Sequence, residues 1–240
     1  MDKTCATLAE AVAGIGDGAS VMIGGFGGSG APIELIHALI DRHVATGHPS
    51  SLTVINNNAG TGRVGIAAMI DQGMVARVIC SYPRTVDARA FTQKYLAGEI
   101  ALELVPQGTL AERIRAGGAG IPAFYTPTGY GTDLAKGKPV AEFDGRMYVL
   151  ERALKADFAL IKAESGDRLG NLTYRLAARN FNPLMAAAAA CTLAQVRQIV
   201  AVGAIKPEQV ITPGLYVRHL VAVPDPQQEE DLLRQKAVYP

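Results

Sequence analysis

The chain has few aromatic side chains and almost no net charge. Its 240 residues include no tryptophan, six phenylalanines and eight tyrosines, and its formal net charge is +1, with Lys and Arg scattered along the sequence. Proteins that bind nucleic acids usually combine a strongly basic surface with aromatic side chains that stack on bases. The composition therefore predicts neither a nucleic-acid surface nor a membrane surface.

Cysteines and long apolar runs are also scarce. Cys5, Cys80 and Cys191 lie far apart and form neither a zinc-binding spacing nor a redox C-x-x-C motif, so we predict no metal site and a reducing cytoplasm. The longest apolar run, residues 184–191, is too short to span a bilayer. Residues 1–4 lead into no secretory hydrophobic region. We therefore expect a cytoplasmic protein without a membrane segment.

A glycine-rich stretch joins a strand to a helix near the N-terminus. Residues 21–23 are apolar and predict a buried strand, and Pro32 suits the first turn of a helix. Between them lies the glycine loop, which consists of Gly24, Gly25, Phe26, Gly27, Gly28, Ser29 and Gly30. Glycine permits positive φ and close approach of a ligand to the main chain. We therefore expect free N–H groups of the loop and of the helix start to face an anionic group.

The glycine loop has several interpretations. Gly25, Gly27 and Gly30 spell the dinucleotide motif G-x-G-x-x-G, but that motif needs a carboxylate at the end of the next strand. The next predicted strand, residues 52–55, ends in the asparagines 56–58, so the carboxylate is missing. A P-loop is excluded because no Lys-Ser or Lys-Thr follows the last glycine. A plain glycine-rich turn without a ligand remains open from the loop alone.

The apolar pattern predicts an α/β fold in which helices and strands alternate. The predicted helices cover residues 4–14, 32–47, 65–72, 87–96 and 110–115, and the predicted strands cover residues 21–23, 52–55, 75–80 and 101–105. In the helix from Pro32, one apolar stripe is predicted, with Glu34, Asp41 and Arg42 outside it; its members are Leu35, Ile36, Leu39, Ile40 and Val44. Such a succession favours a mostly parallel sheet covered by helices, with ligands beyond the carboxyl ends of the strands. Four loops would then converge on one crevice, at residues 24–30, 56–62, 81–84 and 107–108.

The second half of the chain changes to a strand-rich pattern. A long loop is predicted at residues 117–138, and the predicted strands follow at residues 146–151, 157–162, 171–174, 196–202 and 216–223. Asn182-Pro183 is a suitable cap and first turn for an alanine-rich helix, whose small side chains allow a neighbour to pack closely. We expect one domain over residues 1–224 and a polar tail over residues 225–240, at the surface or frayed.

Several blocks of sequence resemble family I coenzyme A transferases, in particular the α (A) subunit of 3-oxoacid CoA-transferases. The first block runs from Asp17-Gly18 through Gly24-Gly25-Phe26 and Gly30 to Pro32, and the others cover residues 105–118, 124–132, 167–175 and 178–183. The resemblance implies a NagB/RpiA/CoA-transferase-like α/β fold, with a mostly parallel sheet flanked by helices and added strands in the C-terminal half. Residues 144–151 and 211–214 look most like subunits that act on 3-oxoadipate in aromatic catabolism.

The resemblance also implies a reaction and a partner. Family members transfer CoA between carboxylic acids by a ping-pong route, through a glutamyl-CoA thioester on a β (B) subunit. We therefore expect half an active site here, a β subunit in a heterodimer or α2β2 assembly, and succinyl-CoA as a substrate with no permanently bound cofactor. The glycine loop is expected to bind CoA or the acyl carboxylate. Gln107, in the Pro-Gln-Gly block, is expected to support the oxyanion, although a helix-starting glutamine facing solvent is the alternative.

Other candidate residues are weaker. Glu164 sits in a setting that superficially resembles the nucleophile's, but we interpret it as a surface glutamate at a turn. Arg84 could pair with a substrate carboxylate or form a structural ion pair, and Arg179 and Asn180 are equally open. His37 and His43 point in different directions from one helix and cannot share a metal. His43 near the helix end is interpreted as a partner of the helix dipole.

The sequence is also compatible with other functions. The nearest is the α subunit of an acetoacetate or butyrate CoA-transferase. A sugar-phosphate isomerase or lactonase on a similar fold would be active without a partner chain. A non-catalytic acyl-CoA-binding module would bind without turnover even when a β subunit is present.

Overall fold

The computed structural model describes residues 2–229 of the chain. The strands in this part, in chain order, are β1 (Ser20–Ile23), β2 (Leu52–Ile55), β3 (Val75–Cys80), β4 (Ala101–Leu104), β5 (Ala123–Thr126), β6 (Val140–Phe143), β7 (Arg146–Arg152), β8 (Ala156–Asp167), β9 (Leu172–Thr173), β10 (Ala189–Val200) and β11 (His219–Ala222). The predicted tail, residues 225–240, lies outside the described residues from position 230 onwards.

The α-helices occupy the connections between these strands. In chain order they are α1 (Leu8–Val12), α2 (Ile33–Thr46), α3 (Ile66–Asp71), α4 (Arg89–Leu96), α5 (Gln107–Ala119) and α6 (Asn182–Ala188). Across the described range, none of the helices has the length and apolar character needed to cross a membrane.

The main sheet is parallel apart from one short strand. Its order is β11-β10-β8-β1-β2-β3-β4, and every neighbouring pair in that path is parallel. The two-residue strand β9 pairs with β8 in the antiparallel direction. The predicted α/β fold, with a mostly parallel sheet and added strands in the C-terminal half, is therefore confirmed.

Helices cover both faces of this sheet, so the core has two parts. In β1, Val21 and Ile23 pack into a cluster with residues of α1 to α4, whereas Met22 packs with residues of α5 and α6. Successive side chains of a strand point to opposite faces. The wholly apolar sequence of β1 after Ser20 thus reflects burial on both sides, as is typical of central parallel strands.

Helix α2 follows its sequence pattern except at two residues. Leu35, Ile36, Leu39 and Ile40 are buried on one stripe, and the helix ends at Gly47, whose φ is +76° and whose N–H donates to the carbonyl of His43. A left-handed glycine at this position is a common helix end. Glu34, expected outside the stripe, is buried, and Val44, expected on it, is exposed, so both predictions were wrong.

The predicted long loop at residues 117–138 is partly ordered secondary structure. Helix α5 continues to Ala119, and β5 begins at Ala123. Strand β5 joins β7 and β6 in a separate three-stranded antiparallel sheet of order β5-β7-β6. The Gly, Pro and Thr content of the segment obscured this strand, because its pairing partner β7 lies more than twenty residues later in the chain.

Two long strands in the C-terminal half also differ from prediction. Strand β8 continues to Asp167, five residues beyond the predicted end, and β10 starts at Ala189, directly after α6. Alanine favours helix intrinsically, but residues 189–191 extend a strand that pairs with β8 on one side and β11 on the other. Tertiary pairing outweighs local propensity here. As predicted, the alanine-rich α6 packs directly against another element, helix α5.

Candidate active site

The four loops predicted to converge do so at the carboxyl edge of the parallel sheet. They surround a crevice of about 560 Å³. Its lining includes Gly24 to Gly28 after β1, Asn56 to Asn58, Gly60 and Thr61 after β2, Ser81, Tyr82 and Thr85 after β3, and Gln107 after β4, together with apolar side chains of α2 and α3. Arg84, one of the candidate carboxylate partners, is exposed and does not line the crevice.

The glycine loop contains a tight two-residue turn. The N–H groups of Phe26 and Ser29 each donate to the other residue's carbonyl at 3.0 Å. Gly27 and Gly28, between them, have φ of +57° and +86°. Positive φ at both central residues is what a type I′ turn requires, and glycine adopts it without strain. The turn projects from the sheet edge with Phe26 exposed at the crevice.

Two asparagines from the distant segment before and within α6 hold the glycine loop. The Asn180 side chain accepts the N–H of Gly25 at 3.2 Å and donates to the carbonyl of Ser29 at 2.9 Å. Asn182 has no exposed surface, donates to the carbonyl of Gly30 at 3.1 Å and accepts the N–H of Lys162 at 3.1 Å. In the structure, Asn180 therefore braces the glycine loop.

Asn182 was predicted to cap α6, and this was wrong. It is the first residue of the helix, Phe181 is the cap, and no side chain caps the helix start. The Asn182 amide points instead at β8 and the glycine loop. Capping was inferred from adjacent sequence, whereas the actual partner Gly30 lies 152 residues away.

Most N–H groups expected to face an anion are used within the protein. Those of Gly24, Gly25, Phe26 and Ser29 donate to protein acceptors, and so does that of Leu35 in the first turn of α2, to Oε1 of Gln195 at 3.1 Å. Among residues 2–229, the loop N–H groups left without an acceptor are those of Gly27, Gly28 and Gly30. Gly27 and Gly28 line the crevice and Gly30 does not, so the two central glycines of the turn are the donors that the loop offers to a ligand there.

Three successive asparagines build the loop after β2. The Asn56 side chain donates to the carbonyl of Ile23 and accepts the N–H of Asn58, and Asn58 in turn accepts the N–H of Gly60. Asn57 Oδ1 accepts the Ser81 hydroxyl at 2.7 Å, which ties this loop to the one after β3. Such side-chain-to-backbone bonds are what asparagine provides in turns. The loop is therefore preorganised, and sequence reasoning noted its composition but not its bonding.

Gln107 is the first residue of α5 and also lines the crevice. It follows Pro106 at the cap position, its side chain is exposed, and the amide makes no hydrogen bond to another residue of the described part of the chain. The two sequence interpretations of Gln107, a helix start and a donor at the site, are thus compatible in the structure. Its amide group is free to donate to a bound ligand.

Two buried ionisable groups flank the crevice. Burial raises the pKa of Glu34, although Oε1 accepts the N–H groups of Gln228 at 2.7 Å and Glu229 at 3.1 Å. Burial lowers the pKa of His37, whose Nε2 accepts the N–H of Gly65 at 3.1 Å. The neutral imidazole therefore supports the loop that leads into α3.

The remaining candidates have other roles. Glu164 lies in strand β8 and is half-buried, so its assignment to a surface turn was wrong. His43 Nδ1 lies 2.9 Å from the carbonyl of Pro49, so it binds the following loop rather than the end of its own helix. Arg179 is exposed at the end of a short 3₁₀ helix. Within residues 2–229, no cluster of three His, Cys, Asp or Glu side chains could hold a metal ion.

The fold and the crevice together define a class of protein. A parallel sheet covered on both faces, with preorganised loops and free amide donors at its carboxyl edge, is the architecture of α/β enzymes that bind small molecules at strand ends.

Comparison with known proteins identifies the family within this class. The sequence model described as Coenzyme A transferase matches residues 5–223. The A subunit of the 3-oxoadipate CoA-transferase of Pseudomonas putida is 57% identical over 223 residues, which cover 93% of this chain and 94% of that protein. The A subunit of the succinyl-CoA:3-ketoacid coenzyme A transferase of Xanthomonas campestris pv. campestris strain B100 is 50% identical over 236 residues, 97% of this chain and 95% of that protein. The chain therefore belongs to the coenzyme A transferase family and is a CoA-transferase polypeptide.

A solved structure agrees at the level of the fold. An acyl-CoA transferase from E. coli O157:H7, crystallised as a thioester complex with CoA, matches with a TM-score of 0.81 at 24% sequence identity. The match covers 95% of this chain and 48% of that one, so this chain spans about half the length of the E. coli protein. At this identity the likeness concerns the fold alone.

Proposed function

We propose that this chain is the α (A) subunit of a succinyl-CoA:3-oxoacid CoA-transferase whose acceptor is 3-oxoadipate, an intermediate of aromatic catabolism. CoA passes between carboxylic acids through a glutamyl-CoA thioester, and the attacking glutamate belongs to a β subunit in a heterodimer or α2β2 assembly. Both relatives described above are named as the A component of their enzymes, which supports the substrate class and the existence of a partner.

One observation carries the proposal of a divided active site. Of the described residues that line the crevice, Glu229 is the single carboxylate, and Lys162 binds it through both carboxylate oxygens. An attacking carboxylate needs a free oxygen directed at the thioester carbonyl. The exposed aromatic side chains Phe26 and Tyr82 at the crevice further support coverage by a second chain.

The residues of this chain then act as the floor of the pocket. The Gln107 amide donates to the oxyanion that forms when the thioester carbonyl is attacked, and the N–H groups of Gly27 and Gly28 are further donors that line the same crevice. The apolar side chains Ile33, Ile36 and Ile66 exclude water from the acyl group. Water exclusion is needed because hydrolysis would destroy the thioester that the reaction conserves.

The remaining features follow from the same proposal. CoA and succinyl-CoA are substrates, and no cofactor stays bound. Residues 1–224 act as one domain, which the family match over residues 5–223 supports. The reducing cytoplasm is the compartment that we propose, because the three cysteines lack a disulfide or zinc-binding spacing.

The test is reconstitution with a β subunit. We expect the isolated chain to be inactive and the reconstituted pair to transfer CoA from succinyl-CoA to 3-oxoadipate faster than to acetoacetate. Borohydride trapping of the thioester should label a glutamate of the β subunit. Label on a glutamate of this chain, or full activity without a partner, would refute the divided site. Equal or inverted rates would refute the choice of 3-oxoadipate and favour acetoacetate.

A further inference from the structure

A second cavity lies on the other side of the glycine turn. It encloses about 390 Å³, and its lining includes the cations Lys162, Arg175 and Arg197 and the carboxylates of Glu164 and Glu229. Gly27 and Gly28 line both the crevice and this second cavity, as does Glu229. The two spaces are therefore neighbours, separated by the turn and by one carboxylate.

Three of the five charged side chains of the second cavity are carried by the sheet, whereas Arg175 and Glu229 lie outside it. Lys162 and Glu164 are two residues apart on β8, so they share one face of the strand. Gln195 of β10 is the register partner of Lys162, and Arg197 follows two residues later on the same face. Side chains on adjacent central strands are held more firmly than side chains on loops. The part of the cavity formed by β8 and β10 is therefore firmly positioned beside the proposed active site.

Lys162 already binds a carboxylate at the boundary between the two spaces. Its ammonium contacts both carboxylate oxygens of Glu229, and both side chains are about three-quarters buried. The main chain of Glu229 is fixed by its N–H donating to Glu34. By contrast, Arg175 and Arg197 are exposed and have no carboxylate within 4.0 Å in residues 2–229. If Glu229 moved aside, three cations would face the carboxylate of Glu164 alone.

The crevice lacks a counterion that its substrates need. None of its lining residues in the described part of the chain is a lysine or arginine. The proposed acids carry a second carboxylate, and CoA carries phosphates. An anionic group brought into a partly apolar site without a counterion is strongly disfavoured. The second cavity, on the far side of the turn, is lined by the cations Lys162, Arg175 and Arg197.

We propose that the second cavity is a subsite for an anionic oxygen group of the substrate, with Glu229 in its place when the subsite is empty. This inference rests on the proposed CoA-transferase function. The group is either the distal carboxylate of a dicarboxylic acid or the 3′-phosphate of CoA, since both bind lysine and arginine through charge-assisted hydrogen bonds. Lys162 then determines substrate selection, and the Glu229 carboxylate competes with the anionic group of the substrate for Lys162.

The variants K162Q and E229Q test the proposal because they should act in opposite directions. In the reconstituted enzyme, K162Q should raise the KM of the substrate that uses the subsite by about tenfold, the effect of one lost charge-assisted hydrogen bond. E229Q should lower the same KM by about threefold, because it removes the competing carboxylate. If the Lys162–Glu229 pair only stabilises the fold, KM should change in the same direction in both variants or in neither.

Two arms distinguish the sources of the anionic group. In the first, kcat/KM is measured for 3-oxoadipate and for acetoacetate with a fixed donor. In the second, kcat/KM is measured for succinyl-CoA and for its 3′-dephospho analogue. A K162Q change in the first ratio alone assigns the subsite to the distal carboxylate, and a change in the second ratio alone assigns it to the phosphate. A change in neither ratio overturns the inference.

Controls separate this inference from the proposed function. K94Q removes the lysine of the Lys94–Glu99 pair on α4, outside both cavities, and should leave both ratios unchanged. Thermal unfolding of each variant shows whether it is folded. If K162Q is unstable, the expected fall in KM of E229Q still tests the proposal. An inactive wild-type pair would refute the proposed function. An active wild-type pair with no opposite-sign response would refute the subsite only.

Discussion

A Cβ atom placed on Gly24 would lie 1.8 Å from Oδ1 of Asn182, far inside van der Waals contact. The first residue of the glycine loop therefore packs directly on a fully buried amide from a helix near the other end of the chain. That amide also bonds to the main chain of Lys162 and Gly30. The position of the glycine turn over the crevice depends on this contact.

The substitution G24A should therefore destabilise the protein strongly. The added methyl group must displace Asn182 and break its hydrogen bonds, and we expect the free energy of unfolding to fall by about 3 kcal/mol. Urea unfolding of the purified chain measures this change. G14A is the matched control, because a Cβ at Gly14 meets no atom within 4 Å. It should shift the free energy by less than about 0.5 kcal/mol, and equal effects of the two substitutions would contradict the packing argument.

Replacing the Asn182 amide by a carboxylate should be more damaging than the same change at Asn180. In N182D, a buried carboxylate oxygen would face the carbonyls of Gly30 and Ala178, which now accept from Nδ2 at 3.1 and 2.8 Å. We expect a loss of about 3 kcal/mol in the free energy of unfolding. In N180D, a half-exposed side chain can be solvated, so the loss should be smaller. A larger loss for N180D in denaturant titrations would contradict this order.

The Gln107 amide should affect the chemical step more than substrate binding. We expect Q107A to lower kcat on the order of 10²-fold in the reconstituted enzyme, with a smaller change in KM, because the oxyanion exists only after attack. Steady-state kinetics with succinyl-CoA and 3-oxoadipate measures both constants. Q93A, at an exposed glutamine of α4 outside the crevice, is the control and should keep wild-type kinetics. A Q107A effect confined to KM would assign Gln107 to binding.

The buried carboxyl group of Glu34 should make stability fall as pH rises. Burial raises the pKa of Glu34 in the folded state, so the folded protein retains the proton more readily than the unfolded chain. Its contribution is present in full below the ordinary glutamate pKa and is lost as pH rises through the folded pKa. Between pH about 4 and about 7, the wild type should lose stability relative to E34Q, whose amide oxygen can still accept both N–H groups.

Glu112 provides a control of opposite sign for this measurement. The Arg115 side chain beside it lowers the pKa of Glu112, and both side chains are largely exposed. Relative to E112Q, the wild type should therefore gain a little stability as pH rises across the same range, reduced by solvent screening. Urea titrations at several pH values give both slopes. If the difference in free energy of unfolding between wild type and variant changed with pH in the same direction for E34Q and E112Q, burial of Glu34 would not be the cause of its pH dependence.

The crevice could be predicted from sequence because parallel strands place their ends together. The alternation of apolar strands such as residues 52–55 with amphipathic helices fixes the topology, and the topology then gathers the loops at one edge. This topology placed Gln107 at the same edge, shortly after the fourth strand candidate, whereas its expected role came from the resemblance of the Pro-Gln-Gly block. Information of this kind is local, and it survives errors of a few residues at element ends.

The parts that sequence reasoning missed depend on distant contacts. Glu34 was assigned to an outer helix face from the apolar spacing of the helix alone. That spacing carries no information about residues 228 and 229, which donate hydrogen bonds to Glu34 in the structure. Glu164 was assigned to a turn because Ser165-Gly166-Asp167 resembles one, although the chain turns after Asp167, where the N–H of Gly170 donates to its carbonyl. Pairing with β10 keeps residues 164–166 extended. Such partners become visible only in three dimensions.

The turn at Gly27 and Gly28 lies between the crevice and the second cavity and lines both. Neither residue has a side chain, so the turn takes little volume from either space. A larger residue at either position would therefore narrow the crevice, the second cavity or both.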